Sequence, residues 1–239
     1  KENIKSLIGA IGFYYNPSTG VEDDIEELGK ICSEFDLPLH IDANYGGVYS
    51  ILNREKMSNL NFKLPGITSI SFDLTSSFSS PTNLGIVLYK DRDIRKQQYF
   101  CYALWIGGVY CSPTLLGSRM TNNIYTSYSN LAILGKNHYK TNVKRKTDVA
   151  KKLYSNLKKD SMISVLDEPN FNVVLFSCNN ALSVYWILSR ELNWDISIKL
   201  GKKDVKGKNE LDLICVHITD IYIEAVENSF YTDLKSVIN

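Results

Sequence analysis

The chain has 239 residues, a length that suits one large domain or two smaller ones. Hydrophobic residues make up 44% of it and charged residues 22%, which is typical of a globular protein, and no apolar run is long enough to span a bilayer. The formal net charge of +1 gives no reason to expect nucleic acid or an anionic membrane as a partner.

The chain begins with Lys rather than Met, and residues 1–20 do not have the pattern of a signal peptide. We therefore interpret it as a segment of a longer protein. Short apolar runs at residues 7–13, 37–43, 68–74 and 85–89 predict four strands, and a Ser-rich loop is expected between the last two. Residues 21–35 have helical periodicity with acidic residues at their start. This order of strand, helix and strand predicts an α/β fold with a parallel or mixed sheet.

The middle of the chain is less regular. Residues 91–102 are charged and are expected to be helical, whereas residues 105–121 contain three glycines and a proline and are expected to form a loop. A long helix is predicted to begin near Asn122 and to continue through Leu157, with a lysine-rich face that we interpret as solvated.

The last part of the chain has a different pattern. Residues 163–166, 172–177 and 213–218 are predicted strands, and residues 181–192 are a predicted amphipathic helix. We predict two domains, one covering residues 1–139 and a small α+β domain covering residues 140–239.

The cysteines and histidines do not have the spacing of a metal site. No C-x-x-C pair occurs, and His40, His138 and His217 lie far apart in the sequence, so no metal is predicted. The five scattered cysteines predict buried, reduced thiols in a protein that faces the cytosol. His40, within a predicted strand, is expected to be packed and hydrogen-bonded.

Three segments contain side chains that suit chemistry or ligand binding. Asp42 ends a predicted parallel strand, where a carboxylate can contact a ligand or simply cap the next element. The hydroxyl-rich segment that includes Thr75 and Ser76 can hold a phosphate or form a plain turn. Residues 107–119 combine small residues, hydroxyls and one arginine, which suits an anion site or a surface loop.

Four stretches together resemble one family. They are LPLHIDA followed by Gly46 and Gly47, GITSIS followed by Asp73, the tripeptide VLY at residues 87–89, and WIGGVYCSPTLLGSR at residues 105–119. The chain resembles the sphingosine-1-phosphate lyases, a family among the group II decarboxylases that depend on pyridoxal 5'-phosphate.

The resemblance implies a partial large domain of the fold-type-I transferase class and a homodimer with active sites at the subunit interface. It implies that Asp42 pairs with the pyridine nitrogen of the cofactor and that the adjacent Ala43 lies at the same site. It also implies that Gly117 and Ser118 help to hold the cofactor phosphate from the partner subunit. The family's reaction cleaves a phosphorylated sphingoid base, and its eukaryotic members are anchored to the endoplasmic reticulum by an N-terminal segment.

The chain differs from the family pattern in two ways. Where the family reads Asp-Thr-His-Lys-Tyr-Gly, this chain reads DLTSSF, so that Ser76 takes the position of the Schiff-base lysine and Thr75 that of the histidine. Because a hydroxyl cannot form an imine, we expect turnover to be strongly reduced. The family's N-terminal half, which supplies a phosphate loop and a ring-stacking histidine, also lies outside this chain.

Three hypotheses follow from this pattern. The first is a degenerate lyase with little or no activity. The second is an active lyase, completed by another chain, in which a relocated lysine such as Lys63, Lys90 or Lys136 supplies the amine. The third is a non-catalytic decoy or dimerisation partner of a genuine lyase subunit.

Overall fold

The computed structural model describes residues 6–52, 61–81, 84–114, 120–201 and 211–238, with only the backbone of Ser76 and Ser77. The chain divides into two compact units. The first comprises the described residues up to Asn137, apart from residues 16–21, which group with residues 138–239 in the second. Within the described part of the chain, no helix is both long and apolar enough to cross a membrane.

The first unit contains a four-stranded sheet whose strands follow one another in chain order. Its first three strands are parallel and the fourth is antiparallel to the third. The strands are β1 (Ala10–Phe13), β2 (Leu39–Asp42), β3 (Ile67–Asp73) and β4 (Gly85–Tyr89). Three helices connect them: α1 (Ile25–Glu34), α2 (Gly47–Leu52) and α3 (Leu74–Phe78). The predicted α/β fold with a mixed sheet is confirmed.

Helix α1 packs on one face of this sheet because its apolar residues recur at helical spacing. Its buried residues Ile25 and Cys32 join Leu39, Ile41 and Ile67 in one core cluster. The helix begins at Ile25, four residues later than predicted, because the Asp24 side chain caps it by accepting the Glu27 N–H at 2.9 Å.

The predictions for residues 91–121 were wrong in part. Helix α4 is only Arg92–Lys96, and β5 (Phe100–Trp105) and β6 (Gly108–Ser112) form an antiparallel hairpin in place of the expected helix end and loop. Trp105 pairs with Gly108, so residues 106 and 107 make a two-residue turn. Gly108 has φ +103°, a value that L side chains rarely adopt.

The predicted helical segment is helical over Thr121–Lys158, labelled α5, but as two pieces rather than one continuous helix. It is interrupted at Gly135, where φ is 68° and ψ is 171°. Such angles break the helical hydrogen-bond ladder, which identifies Gly135 as the site of the kink.

The second unit contains an antiparallel sheet in the order β7-β8-β10-β9. The strands are β7 (Ile163–Val165), β8 (Val173–Cys178), β9 (Ile196–Lys199) and β10 (Leu213–His217). The helices are α6 (Ala181–Trp186), which continues as a π-helical turn (Ile187–Glu191), then α7 (Ile223–Ala225), a second π-helical turn (Val226–Phe230) and α8 (Tyr231–Ile238). The three predicted strands and the helix that begins at Ala181 are confirmed, whereas β9 and the helices after residue 222 were not predicted.

Phe230 lies at the centre of the second core. Its side chain is fully buried, and its ring makes edge contacts with Phe176 at 6.4 Å and with Trp194 at 5.0 Å between centroids. Such aromatic contacts add to the stabilisation that burial alone provides.

The cysteines do not all have the expected burial. Cys32 and Cys215 are buried and Cys178 is partly buried, whereas Cys101 and Cys111, on the β5–β6 hairpin, are exposed. The expectation of five buried thiols is therefore wrong for the hairpin pair, because a two-stranded sheet leaves its side chains open to solvent.

Candidate functional site

The carboxyl ends of the three parallel strands meet at one edge of the first sheet, where ligands bind in open α/β folds. Asp42 is the last residue of β2 and lies between Phe13 of β1 and Ser71 of β3. Its carbonyl oxygen accepts the Tyr14 N–H at 2.9 Å, and the following N–H, that of Ala43, donates to the Ser71 carbonyl at 3.0 Å. Both neighbouring strands therefore fix the backbone of Asp42.

Asp42 is half-buried, and only one of its two carboxylate oxygens accepts a hydrogen bond from the described residues. Its Oδ1 accepts the N–H of Asn44 at 3.0 Å, which closes a tight turn after β2. Among the residues that the structure describes, Oδ2 has no hydrogen-bond partner. This oxygen remains able to accept a hydrogen bond from a cationic ligand group.

A polar network lies on the same face of the sheet as Asp42. His40 is two residues before Asp42 on β2 and therefore points to the same side. The Nδ1 of His40 is 2.8 Å from Ser69 Oγ, and its Nε2 is 3.2 Å from Ser71 Oγ. The prediction that His40 is packed and hydrogen-bonded is confirmed, but its two serine partners were not predicted.

Burial lowers the pKa of His40, although the nearby Asp42 carboxylate opposes this shift. The imidazole is therefore mainly neutral near pH 7, with one nitrogen donating and the other accepting a hydrogen bond. In this form His40 joins β2 to β3 next to Asp42.

The turn after Asp42 leads into a closely packed segment. Ala43 is fully buried, and its carbonyl accepts the Gly47 N–H at 2.8 Å. A Cβ added at Gly47 would lie 2.4 Å from the Phe72 ring, and one added at Gly46 would lie 2.3 Å from Tyr15 Cβ. Glycine is needed at both positions because the backbone passes so close to its neighbours. The contact of Ala43 with a cofactor stays a prediction.

Ser76, the residue that the resemblance predicts at the position of the lysine, comes just after β3. The backbone of Ser76 belongs to α3, so the expected Ser-rich loop begins as a short helix. Thr75 is half-buried and donates its N–H to Asp73 Oδ1 at 2.9 Å and its hydroxyl to the Pro81 carbonyl at 3.0 Å. The Thr75 hydroxyl therefore ties α3 to the segment that leads to β4.

Two of the three lysines considered as a relocated amine, Lys63 and Lys90, lie near the amino end of β3, at the edge of the sheet opposite to Asp42. Lys90 follows β4, and its N–H donates to the carbonyl of Thr68 at the start of β3. Lys63 lies four residues before β3 begins. The seven residues of β3 span about 20 Å, so neither segment is near the carboxyl end of the strands. Lys136, in α5, is exposed.

The predicted phosphate-binding residues Gly117 and Ser118 lie outside the described residues. The described part of this segment ends at Thr114, whose carbonyl accepts the hydroxyl of Ser112 at 2.8 Å. Within the described residues, no three His, Cys, Asp or Glu side chains are grouped as metal ligands.

Comparison with known proteins gives a consistent result. Residues 9–179 match the profile of the pyridoxal-dependent decarboxylase conserved domain. The sphingosine-1-phosphate lyase of Saccharomyces cerevisiae is 30% identical over 191 residues, which cover 78% of this chain and 32% of the yeast protein. That of Dictyostelium discoideum is 28% identical over 238 residues, which cover 98% of this chain and 43% of that protein.

A solved structure extends this similarity to the fold. The Burkholderia pseudomallei sphingosine-1-phosphate lyase superimposes with a TM-score of 0.81 at 26% identity, covering 96% of this chain and 52% of that one. The chain therefore spans between about a third and a half of the length of these three proteins.

Proposed function

Since the chain belongs to the pyridoxal-dependent decarboxylase family, we propose that it is a sphingosine-1-phosphate lyase-like protein in which the chemical step is impaired. One feature of the sequence carries this proposal: the segment DLTSSF has no lysine, and the family resemblance places Ser76 where the cofactor-holding lysine is expected. A lysine amine forms a Schiff base with pyridoxal phosphate, and a serine hydroxyl does not.

The carboxyl edge of the first sheet suits the pyridine ring of this cofactor. The Asp42 carboxylate offers Oδ2 beside the neutral His40 network. When bound, pyridoxal phosphate supplies an electron sink, and a carboxylate next to its ring nitrogen keeps that nitrogen protonated. Non-covalent binding of the cofactor therefore fits the residues present, whereas covalent attachment at Ser76 does not.

The placement of Lys63 and Lys90 argues against relocation of the amine to either of these two residues. The sequence has no lysine between Lys63 and Lys90. The segments of both these residues lie at the amino end of β3, away from Asp42. A phosphorylated sphingoid base is the ligand that the family relationship suggests, bound without efficient cleavage.

The test uses the purified protein and a single restoring variant. Pyridoxal phosphate is added, the absorbance of the aldimine is recorded, and borohydride reduction is followed by peptide mapping. We expect no stoichiometric adduct on any lysine of the unmodified chain. In Ser76→Lys we expect an adduct at position 76, because the amine then follows β3 at the carboxyl edge of the sheet.

A stoichiometric adduct on one native lysine would show that the amine is relocated and would overturn the proposal. An adduct spread over many lysines in both proteins would indicate non-specific surface labelling. Ser76→Lys would then behave like the unmodified chain, which contradicts the proposal that position 76 is where the amine is missing.

A second candidate is a non-catalytic partner of another chain, and β4 favours it. Its residues Ile86, Val87 and Leu88 are 40%, 44% and 44% exposed. Consecutive apolar residues are typical of strands buried on both faces, and within the described residues one edge of β4 is unpaired. Such a strand suits pairing with a genuine lyase subunit or with a second copy in a homodimer.

The partner proposal is tested by co-purification with an authentic lyase. Retention of this chain by a tagged lyase supports it, and retention that survives unchanged in Val87→Lys locates the contact elsewhere. Failure to associate removes the decoy hypothesis.

We further propose that residues 1–139 are the C-terminal part of a family large domain and that residues 140–239 are its small domain. The separate sheets of the two units, and the change from one unit to the other between Asn137 and His138, support this division. A cytosol-facing position at the endoplasmic reticulum is part of the same proposal and is tested by cell fractionation.

A further inference from the structure

The β5–β6 hairpin brings together two cysteines that are ten residues apart in the sequence. Cys101 of β5 and Cys111 of β6 are direct cross-strand partners in the register of this antiparallel pair. Residues that face each other in this way have Cα atoms about 4.5 to 5.5 Å apart. That spacing falls within the range of about 4.4 to 6.8 Å that disulfides require.

Side chains of directly opposite residues in an antiparallel pair lie on the same face of the sheet, so the two thiols are neighbours. The interaction with Cys101 raises the pKa of Cys111. Both residues are exposed. The aromatic residues Phe100, Tyr102 and Tyr110 alternate with the cysteines along the strands, so they lie on the opposite face of the hairpin and leave the thiols accessible.

We propose that Cys101 and Cys111 form a reversible dithiol site that small disulfides oxidise to a cross-strand bridge. The reaction requires a low-molecular-weight disulfide as oxidant. One thiolate attacks that disulfide and releases the first small thiol, and the second cysteine then displaces the other. The two cysteines lose two electrons and two protons, and the oxidant is reduced to two thiols.

The remaining cysteines are poorly suited to this reaction. Burial raises the pKa of Cys215 to about 11 and also raises the pKa of Cys32 and of Cys178. Burial also limits the access of an oxidant to these three thiols, whereas Cys101 and Cys111 are exposed. Because the contact within the pair also raises the pKa of Cys111, oxidation of the pair should accelerate as the pH is raised above neutral.

The first experiment treats the reduced protein with glutathione disulfide and measures its intact mass, followed by peptide mapping. We expect the loss of two hydrogen atoms per chain, a peptide link between Cys101 and Cys111, and reversal by dithiothreitol. In Cys111→Ser we expect no bridge and a mixed glutathione disulfide at Cys101. The matched control Cys178→Ser should form the bridge as readily as the unmodified chain.

A second measurement does not depend on oxidation. Phenylarsine oxide binds tightly only where two thiols are adjacent, so it should bind the unmodified chain and Cys178→Ser at one equivalent. This tight binding should be lost in Cys111→Ser, with the circular dichroism spectrum unchanged.

Three results would overturn the proposal. They are stable glutathione adducts on both cysteines without a bridge, a bridge that forms only between two chains, and tight arsenical binding that persists in Cys111→Ser.

Discussion

Replacing Asp42 by asparagine tests whether the carboxyl edge of the first sheet recognises a cationic ring. The amide of Asp42→Asn keeps the size of the side chain, and its oxygen can still accept the Asn44 N–H that now bonds to Oδ1 at 3.0 Å. The turn after β2 is therefore retained. Only the negative charge opposite a protonated pyridine nitrogen is removed.

The expected magnitude follows from the kind of contact that is lost. A hydrogen bond to a charged group contributes about 1.5 to 3 kcal/mol, which corresponds to about a 10- to 150-fold change in the dissociation constant. Because Asp42 is half-buried, solvent screens part of this interaction, and the lower part of that range is expected. We therefore expect pyridoxal phosphate to bind about 10- to 30-fold more weakly to Asp42→Asn.

The assay is a titration with pyridoxal phosphate, followed by absorbance and by quenching of tryptophan fluorescence. Asp91→Asn is the matched control, because Asp91 caps α4 just beyond β4, at the opposite edge of the same sheet. Asparagine caps helices as well as aspartate does, so this variant should bind the cofactor normally. Equal weakening in both variants, or unchanged affinity in Asp42→Asn, would refute the role of Asp42.

Three further predictions concern stability. Gly46→Ala should lower the free energy of unfolding by about 1 to 3 kcal/mol, since the added Cβ would lie 2.3 Å from Tyr15 Cβ; an unchanged urea midpoint would contradict this. Phe230→Ala should cost about 3 to 5 kcal/mol by emptying the centre of the second core, and a loss below 1 kcal/mol in chemical denaturation would show that the site collapses around the cavity. Lys235 donates a hydrogen bond to Asp160 at 2.6 Å and lowers the pKa of that carboxyl below its ordinary value of 3.8. As the pH falls, the Asp160 carboxyl is therefore protonated in the unfolded chain before it is protonated in the folded chain. The free energy of unfolding declines as the pH falls through and below 3.8. Asp160→Asn should flatten that decline in acid denaturation curves, and an identical curve would exclude the effect.

The elements that the sequence predicted well are those whose pattern is local. The strands β2 and β3 are short segments that contain isoleucines and end in an aspartate, and α1 has a clear apolar face. The hairpin was missed because the charged residues 91–98 extended the predicted helix past Lys96, where it ends. The pairing of residues 100–112 depends on the two-residue turn before Gly108. It was not predicted because Gly107 and Gly108 were interpreted as part of a loop.

The candidate site was predictable only where one residue carries the signal. Asp42 was predicted as a candidate because it ends a parallel strand, and the structure confirms that position at the end of β2. The contacts of His40 with Ser69 and Ser71 were missed because they join residues about 30 positions apart. Their positions depend on the register between β2 and β3, which shifts between Leu39 and His40. A one-residue change in register would turn these side chains to the other face.

In the function proposed above, cofactor recognition and the chemical step belong to different elements of the fold, so one can persist when the other is lost. The carboxylate that would contact the ring belongs to β2, and its backbone and Oδ1 contacts involve β1, β3 and the turn at Asn44. Position 76, where the resemblance predicts the amine, belongs to α3, in which Thr75 makes its own contacts with Asp73 and Pro81. The hydrogen bonds described for Asp42 come from Tyr14 and Asn44, neither of which lies in α3. We therefore expect the serine at position 76 to leave the Asp42 carboxylate in place. A protein with this arrangement is expected to retain affinity for the cofactor while its turnover falls, which is the behaviour that a binding or partner role would require.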